Sequence, residues 1–327
     1  MPLVVNTNSA ATSASFNLSR ANEALRKSLG RLSSGKRINS PADDAGGLAV
    51  AYKLNSKSNR TQGVIQNVQN SLSYLQMQDG SLETIGKILD RMAELRTMAQ
   101  DITKNTGDIE NYTKEFVELQ GQLKQIKGET FNGVSLFAAN GETGTAFASA
   151  NESVTEVTTN GTQSLTFDKY SRTLYTHPSG QTDDGSISLN LINLEFVLSI
   201  GSLSSGGDAN LGNIGDGNAT ATANDGIGTN GFIDDILELS VGQLTRAIER
   251  VADARAENGA EQNRALGVLD MLESSLINLE AAHGRIMDAD IALESTRFAR
   301  HNVLVQAGAA MTAQANQLTN VALALLG

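Results

Sequence analysis

The sequence has no cysteine and no tryptophan, and only three of its 327 residues are proline. Without cysteine, the chain has no disulfide, no thiolate metal site and no cysteine nucleophile. The few prolines leave long stretches free to continue as helix. Aromatic residues make up only 4% of the chain. We therefore expect a core of Leu, Ile, Val, Met and Ala, which suit helix packing.

Basic residues are outnumbered, with 25 Lys and Arg against 36 Asp and Glu, and the formal net charge is -11. Because nucleic-acid binding is dominated by cationic contacts to phosphate, this balance argues against a nucleic-acid partner. No apolar run approaches the ~20 residues of a membrane-spanning helix, so no membrane partner is expected. Met1–Ser15 lacks the basic and apolar regions of a cleavable secretory signal, so export would need another route.

Signals for catalysis are also missing. The three histidines, His177, His283 and His301, lie far apart in the sequence. The sequence motifs of zinc proteases, phosphate-binding loops and nucleophile elbows are absent. The carboxylate pairs, Asp183 with Asp184 and Asp288 with Asp290, lack the spacing of a calcium-binding loop. We expect no catalytic residue, no metal and no cofactor. The alternative of a hydrolase that uses the carboxylate pairs would require activity that is lost on Asp288→Asn.

The N-terminal part of the chain has a helical pattern. Apolar residues between Leu18 and Leu32 fall at three- and four-residue spacings, which places them on one face of a helix. Ser33-Ser34-Gly35 ends this helix. Ser40 before Pro41 resembles an N-cap with proline in the first turn, so a second helix is predicted to begin there.

The second helix is predicted from about Asp44 to Asp101 and shows a heptad repeat. A third helix is predicted from about Asp108 to Lys127, ending at Gly128. The last third of the chain shows a second set of heptads, interrupted by a polar stretch around Asn258 that we consider a candidate hinge. One seam of the N-terminal heptads consists of Val68, Leu75, Leu82 and Leu89. One seam of the C-terminal heptads consists of Leu237, Leu244, Val251, Ala265, Leu272, Leu279, Ile286 and Leu293.

The middle of the chain, about residues 140–229, is rich in Gly, Asn, Thr and Ser. Asn160-Gly161 lies between two β-prone segments, which predicts a hairpin. Alternating apolar residues from Ile187 to Leu191 predict another strand. The segment from Gly206 to Gly228 is predicted to be an irregular surface loop.

These patterns predict a mainly α protein. The N- and C-terminal regions form a long antiparallel, coiled-coil-like helical rod with a small β- and loop-rich central insert. We expect three domains: residues 1–43 with 288–327, residues 44–139 with 230–287, and the insert 140–229. Helices with a narrow apolar face are only marginally stable without tertiary packing. We therefore expect the terminal ~40 residues at each end to be disordered in the monomer.

Several segments resemble the signatures of bacterial flagellins. Leu32-Ser33-Ser34-Gly35-Lys36-Arg37-Ile38-Asn39-Ser40, followed by Asp43-Asp44-Ala45-Gly46-Gly47-Leu48-Ala49, resembles the N-terminal signature. Phe131-Asn132-Gly133-Val134, Gln262-Asn263-Arg264, Arg285-Ile286-Met287-Asp288-Ala289-Asp290 and Ala313-Gln314-Ala315-Asn316-Gln317 follow in the family's order. The resemblance covers both helical thirds of the chain.

The resemblance implies a subunit that leaves the cell unfolded through the flagellar type III apparatus, with an export chaperone and a filament cap as partners. It polymerises outside the cell into the flagellar filament used for swimming. The paired termini form an inner tube, the long helices an outer tube, and the insert lies on the surface. Two alternatives stay open: the hook–filament junction protein, and a secreted helical adhesin or effector.

Three sets of residues are candidates for function. Inner-tube contacts are expected from Leu18, Leu25, Leu32, Leu304, Met311, Leu318 and Leu325. The rod core is expected to contain Leu75, Leu82, Leu89, Leu244, Val251, Leu272 and Leu279. The resemblance further implies a contact with a flagellin-sensing Toll-like receptor, a host innate receptor, through Arg91, Glu94, Leu95 and Glu115, although Ala93 and Arg96 depart from the family's pattern.

Overall fold

The computed structural model describes residues 8–138, 150–158, 161–203, 207–210 and 236–326. The chain divides into two compact units, Met1–Arg60 with Ser275–Gly327, and Thr61–Ser274. The mainly α fold, with helical terminal regions and a small strand-rich middle, is confirmed. The division into three domains at about residues 44, 140, 230 and 288 stays a prediction.

The first helix, α1, spans Ser9–Ser34. The side chain of Asn8 caps its first turn by accepting a hydrogen bond from the Ala11 amide at 3.0 Å. Gly35 ends the helix in the left-handed conformation at φ 69°, which glycine adopts without steric cost. The predicted end of this helix is therefore confirmed.

The second helix, α2, spans Ala45–Ala99 and belongs in part to each unit. The prediction that Ser40 caps it was wrong, because the helix begins five residues later. The carboxylate of Asp44 accepts a hydrogen bond from the Gly47 amide at 2.8 Å and so caps α2. A Cβ on Gly47 would crowd the Asp44 carboxylate, which would have to shift to make room for it.

The unit that contains the termini is completed by the end of α5, Val241–Met287, and by α6, Ile291–Leu326. Helices α1 and α6 pair in antiparallel fashion. At one end Asn8 Nδ2 donates to the Ala315 carbonyl at 2.8 Å. At the other end the Arg37 amide donates to the Met287 carbonyl at 2.6 Å. There Ile38, Ala51 and Met287 form a small buried cluster.

The other unit contains most of α2, together with α3, Thr106–Lys127, and the first part of α5. Asn105 and Asp108 form a reciprocal capping box at the start of α3. Helices α2 and α5 are antiparallel, because residue 78 lies opposite 258, residue 86 opposite 251, and residue 96 opposite 239. Leu237 precedes this pairing, in a short 3-10 helix at Ile236–Glu238.

The described residues of this unit also form seven strands. Strands β1, Thr130–Phe131, and β2, Val134–Ser135, form a two-stranded hairpin. Strands β3, Ala150–Thr158, β4, Gly161–Tyr175, and β5, Ser186–Leu191, form an antiparallel sheet in that order. A four-residue helix α4, Leu194–Val197, precedes the pair β6, Ser199–Leu203, and β7, Gly207–Asn210.

The hairpin and the strand predicted for the insert are confirmed. The hairpin differs in one detail, because Gly161 pairs with Thr158 and so belongs to the strand. Ile187, Leu189 and Leu191 are buried on one face of β5, as their alternation predicts. β7 occupies the start of the segment expected to be an irregular loop, and residues 211–228 of that segment lie outside the described residues.

Candidate assembly interface

The pairing of α1 with α6 buries one heptad-spaced face of each helix. On α1, Leu18, Leu25 and Leu32 are half-buried, as predicted, and Ser28 is buried between them. On α6 the buried or half-buried positions form a heptad-spaced series that the sequence did not reveal as a set: Glu294, Phe298, His301, Val305, Gly308, Thr312 and Ala315, with the half-buried Asn302 beside it. The seam on α6 therefore contains mostly small or polar side chains, which let the two backbones approach closely.

Two of the predicted inner-tube residues of α6, Leu304 and Met311, do not lie on this seam. Leu304 is 49% exposed and Met311 is 64% exposed. Neither is therefore buried within the subunit, and their role in inner-tube contacts between subunits stays a prediction. The outward stripe, which we define as Leu293, Leu304 and Met311, follows helical spacing along α6 beside the seam, and these three residues are solvent-exposed. The side chains of Leu318 and Leu325 lie outside those described.

Glu294 is a charged residue within the α1–α6 seam, and its side chain is only 6% exposed. Burial acts to raise the pKa of this carboxyl. Hydrogen bonds from Ser28 and Arg297, together with the charge of Arg31, outweigh burial and lower the pKa below its usual value. Arg31 Nη1 lies 3.7 Å and Arg297 Nη1 3.3 Å from Glu294 Oε2. Glu294 therefore remains ionised and ties the two helices together.

The segment between α1 and α2 is held by Asp43. Lys27 Nζ lies 2.5 Å from Asp43 Oδ1, and the amides of Asn39 and Ser40 donate to Asp43 Oδ2 at 3.2 and 3.3 Å. The hydrogen bond from Lys27 is the largest cause that lowers the pKa of Asp43 to about 2. Asp43 is thus paired within its own chain.

The heptad seam of α2 and α5 forms a core in the second unit. Six of the seven predicted rod residues are buried, and Leu279, which belongs to the unit with the termini, is half-buried. Two residues assigned to the C-terminal heptads do not fit. Leu237 is 42% exposed and precedes α5, and Leu293 is 49% exposed after the chain turns between α5 and α6. The carboxylate of Asp290 caps α6 at this turn.

Helix α5 continues without interruption through the polar stretch around Asn258. Asn258 is 1% exposed, and its Nδ2 donates to Gln78 Oε1 on α2 at 2.6 Å. Gln262 Nε2 donates to Asn258 Oδ1 at 2.6 Å. Gln78 Nε2 in turn donates to the Leu136 carbonyl at 2.9 Å. We call these three side chains and this carbonyl the amide chain.

Next to the amide chain, Arg255 of α5 forms two hydrogen bonds with Asp79 of α2. Arg255 Nε lies 2.8 Å from Asp79 Oδ1, and Arg255 Nη2 lies 3.2 Å from Asp79 Oδ2. The hydrogen bond that Arg255 donates to Asp79 is the largest cause that raises the pKa of Arg255. This forked geometry is specific to arginine and helps to define how the helices pair.

The β1–β2 hairpin turns at Asn132 and Gly133, whose φ angles are 52° and 77°. Positive φ at both central residues is the requirement of a type I′ turn, which Asn-Gly satisfies. At the end of β2, the hydroxyl of Tyr74 donates to the Ser135 carbonyl at 2.9 Å. The ring of Tyr74 also contacts Phe131 edge-on, at 6.2 Å between centroids. The Phe131-Asn132-Gly133 segment is thus anchored to α2.

The four candidate receptor-contact residues lie together, but one of them is inaccessible. Arg91 Nε lies 2.8 Å from Glu115 Oε1, and Arg91 Nη1 lies 2.9 Å from Glu94 Oε2. Leu95 is fully buried in the rod core. The accessible surface therefore contains Arg91, Glu94 and Glu115 without the leucine.

Arg96, which departs from the family's pattern, has a role that the sequence did not reveal. Its side chain is 8% exposed. Its Nε donates to the Leu239 carbonyl, and its Nη2 to the Leu237 carbonyl at 3.4 Å. Both carbonyls precede α5, so this guanidinium fixes the entry of the chain into that helix.

The described part of the chain contains no group of three or more His, Asp or Glu side chains arranged to hold a metal ion. Within the same residues, no helix has the length and apolar character required to cross a membrane. The buried charged groups that we find, Glu294 and Arg96, contact partners between helices. Their arrangement serves helix pairing.

Comparison with known proteins identifies two family regions. Residues 5–142 match the bacterial flagellin N-terminal helical region, and residues 241–326 match the bacterial flagellin C-terminal helical region. The chain is 33% identical over 330 residues to a flagellin of Bacillus subtilis (strain 168), with 98% of this chain and 99% of the relative covered. It is 31% identical over 386 residues to flagellin A of Vibrio anguillarum, with both chains covered completely.

Two further comparisons are more distant. The chain is 26% identical over 340 residues to the flagellar filament 41 kDa core protein of Borreliella burgdorferi, with 99% of this chain and 100% of the relative covered. The solved structure of a protein assigned as a flagellar hook-associated protein of Vibrio parahaemolyticus matches with a TM-score of 0.51 and 14% identity. It covers 75% of this chain and 100% of that one. At this low sequence identity, the match shows only that the two folds are similar.

The alternatives of a junction protein and of a secreted adhesin are not favoured, because relatives named as flagellins match this chain over its full length. The family regions fall on the helices that build the α1–α6 and α2–α5 pairs. The chain is therefore a member of the bacterial flagellin family, the structural subunits of the flagellar filament.

Proposed function

We propose that this subunit polymerises through the outward stripe of α6, while the adjoining seam of α6 holds α1 within the same subunit. The observation that carries the proposal is the exposure of Leu304 and Met311 on a helix that is already paired with α1 along the adjoining seam. Large apolar side chains at helical spacing on a free face are typical of a protein–protein contact. Burying one such side chain contributes ~1.5–3 kcal/mol.

The test is Met311→Asp, with Gln306→Asp as the matched control. Both substitutions add one carboxylate at an exposed position of α6, but only the first places it on the outward stripe. Met311→Asp should abolish filament growth from seeds, measured by light scattering and electron microscopy, while Gln306→Asp filaments grow. Normal filaments from Met311→Asp would refute the proposal.

We further propose that the terminal helices become ordered on assembly, as the first and last ~40 residues are too weakly apolar to be stable alone. Two observations support this: the seam of α6 is built largely of small and polar residues, and much of its apolar surface is exposed. Limited proteolysis should remove both ends from the monomer and leave them intact in the filament. Equal protection in both states would contradict this ordering.

In the filament that we propose, the terminal pair lines an inner tube, residues 44–139 with 230–287 form the outer tube, and the insert 140–229 lies on the surface. Export unfolded to the cell exterior would need a chaperone and a cap at the growing end. The exposed outward stripe supports a chaperone, because an apolar face needs cover before assembly. Co-purification of the chain from cells blocked in export would test this, with Met311→Asp expected to lose the chaperone.

A host innate receptor is a second candidate partner. The exposed ion-paired cluster of Arg91, Glu94 and Glu115 supports it, and the burial of Leu95 counts against a direct contact by that side chain. Arg91→Ala should weaken signalling through the flagellin-sensing Toll-like receptor, whereas Lys87→Ala, one turn away, should not. Catalysis is not expected from any of these groups.

A further inference from the structure

The heptad seam between α2 and α5 contains an ambiguity. Apolar residues recur every seven positions on both helices, so an axial slip of one heptad would again bring apolar residues into contact. Gln78 continues the α2 series of Ile85, Met92 and Ala99, and Asn258 continues the α5 series of Leu244 and Val251. Both polar side chains are buried where the repeat calls for an apolar residue.

We propose that the amide chain is a register lock, which selects one axial alignment of α2 and α5 among several that the heptads allow. In the observed alignment Gln78 and Asn258 meet at 2.6 Å. A slip of one heptad would place Asn258 opposite Ile85 or Ser71, and Gln78 opposite Ala265 or Val251. Either slip would separate the two amides and bury polar groups without their partners, which is unfavourable.

The hydrogen bonds of the amide chain also run in one fixed direction from donor to acceptor. A carbonyl only accepts hydrogen bonds, so the Leu136 carbonyl requires Gln78 to point its Nε2 at it and its Oε1 at Asn258. Asn258 must then donate to Gln78, and its Oδ1 is left to accept from Gln262. A single backbone carbonyl beyond the β1–β2 hairpin therefore orients three side chains on two helices. Fixed register is the best-attested use of a buried polar pair in a helical seam.

The absence of cysteine from the chain allows the register to be read by engineered disulfides. A Cβ on Gly86 would lie 3.8 Å from Val251 Cγ1, so Gly86→Cys with Val251→Cys reports the observed register. Gly86→Cys with Leu244→Cys reports a slip of one heptad in one direction. Ala93→Cys with Val251→Cys reports a slip in the other.

Each cysteine pair is placed in the unaltered full chain and in the variant with both Gln78→Leu and Asn258→Leu, which makes the seam uniformly apolar. Oxidation followed by non-reducing electrophoresis and peptide mapping measures each cross-link. We expect the unaltered chain to form only the first cross-link. The double-leucine variant should keep its helical circular dichroism and form the slipped cross-links several-fold more.

A double-leucine variant that folds and forms only the first cross-link would overturn the proposal. The control is Gln76→Leu with Asn263→Leu, which adds the same side chains at exposed positions of the same helices. This control should keep one register, and slipped cross-links in it would also overturn the proposal. If the double-leucine variant fails to fold, the single Asn258→Gln variant replaces it. This change lengthens the amide and disturbs its fit, so slipped cross-links should rise there too, and their absence would count against the lock.

Discussion

Gly308 of α6 passes against Leu18 of α1. A Cβ on the glycine would lie 3.4 Å from Leu18 Cδ1 and 3.5 Å from its Cα. A methyl group just fits in that space and a larger side chain does not. This contact explains why the seam of α6 is built of small residues, since Leu18 fills the space that a side chain at position 308 would otherwise take.

Gly308→Leu should therefore separate the terminal helices. Overpacking of a closely packed seam costs roughly 1–3 kcal/mol, so filaments of this variant should melt at a lower temperature or fail to form. Gly308→Ala is the matched control and should be nearly neutral, because its Cβ meets Leu18 at ordinary contact distance. Thermal dissociation of seeded filaments, followed by light scattering, measures both. Equal melting of the two variants would mean that the seam is not closely packed there.

The forked ion pair of Arg255 with Asp79 gives a second prediction. Arg255→Ala should lower the free energy of unfolding of the monomer by ~0.5–1 kcal/mol, because the pair is partly exposed and solvent screens it. Arg255→Lys should recover only part of this loss, since an ammonium cannot form the fork. Chemical denaturation measures the difference. Lys87→Ala, which breaks an exposed pair with Glu83, is the control and should change stability less than Arg255→Ala.

Acid should weaken the segment between α1 and α2 through Asp43. Its pKa falls from 3.8 to about 2 on folding, so the ionised carboxylate stabilises the folded state above pH 3.8. This stabilisation is lost as the pH falls through about 2. The lowered pKa of Glu294 acts in the same direction.

Asp43→Asn should remove the Asp43 part of that acid response. Its filaments should be less stable than the unaltered ones at neutral pH, and the two stability curves should converge at low pH. Filament dissociation against pH gives the curves. Asp44→Asn is the control, because asparagine caps a helix as well as aspartate does. Parallel curves for Asp43→Asn and the unaltered chain would show that the Lys27 pair contributes nothing.

The turn at Asn132 and Gly133 should tolerate glycine but not a branched residue. Gly133→Val forces a β-branched side chain into positive φ, which costs roughly 1–2 kcal/mol or more. It should loosen the hairpin, seen as faster hydrogen exchange at the Leu136 amide, which donates to the Glu129 carbonyl at 3.1 Å, and at the following Ala138 amide, which donates to the Ile192 carbonyl at 3.0 Å. Asn132→Gly keeps the turn and should leave exchange close to normal. Protection of both amides in Gly133→Val would argue that docking on α2, and not the turn, holds the hairpin.

Local patterns accounted for most of the helices, the end of α1 at Gly35 and the strand from Ile187 to Leu191. The start of α2 was predicted near Asp44 and lies at Ala45, but its capping residue was misassigned because two signals competed within five residues. Ser40 before Pro41 resembled a cap, yet Asp44 has both a carboxylate and a glycine three residues later that lets it reach the amide. Such a choice depends on the packing of Ile38 and Met287 around the turn.

The sequence by itself determined where helices form, since apolar spacing and capping residues act within one or two turns of the chain. It did not determine which face of α6 is buried, because that helix carries apolar or small residues on every side and periodicity selects none. Only the tertiary structure, by setting Gly308 against Leu18, turned Leu304 and Met311 outward. It alone also paired Asn258 with Gln78, 180 residues away along the chain, because a hydrogen bond between distant segments depends on the alignment of whole helices.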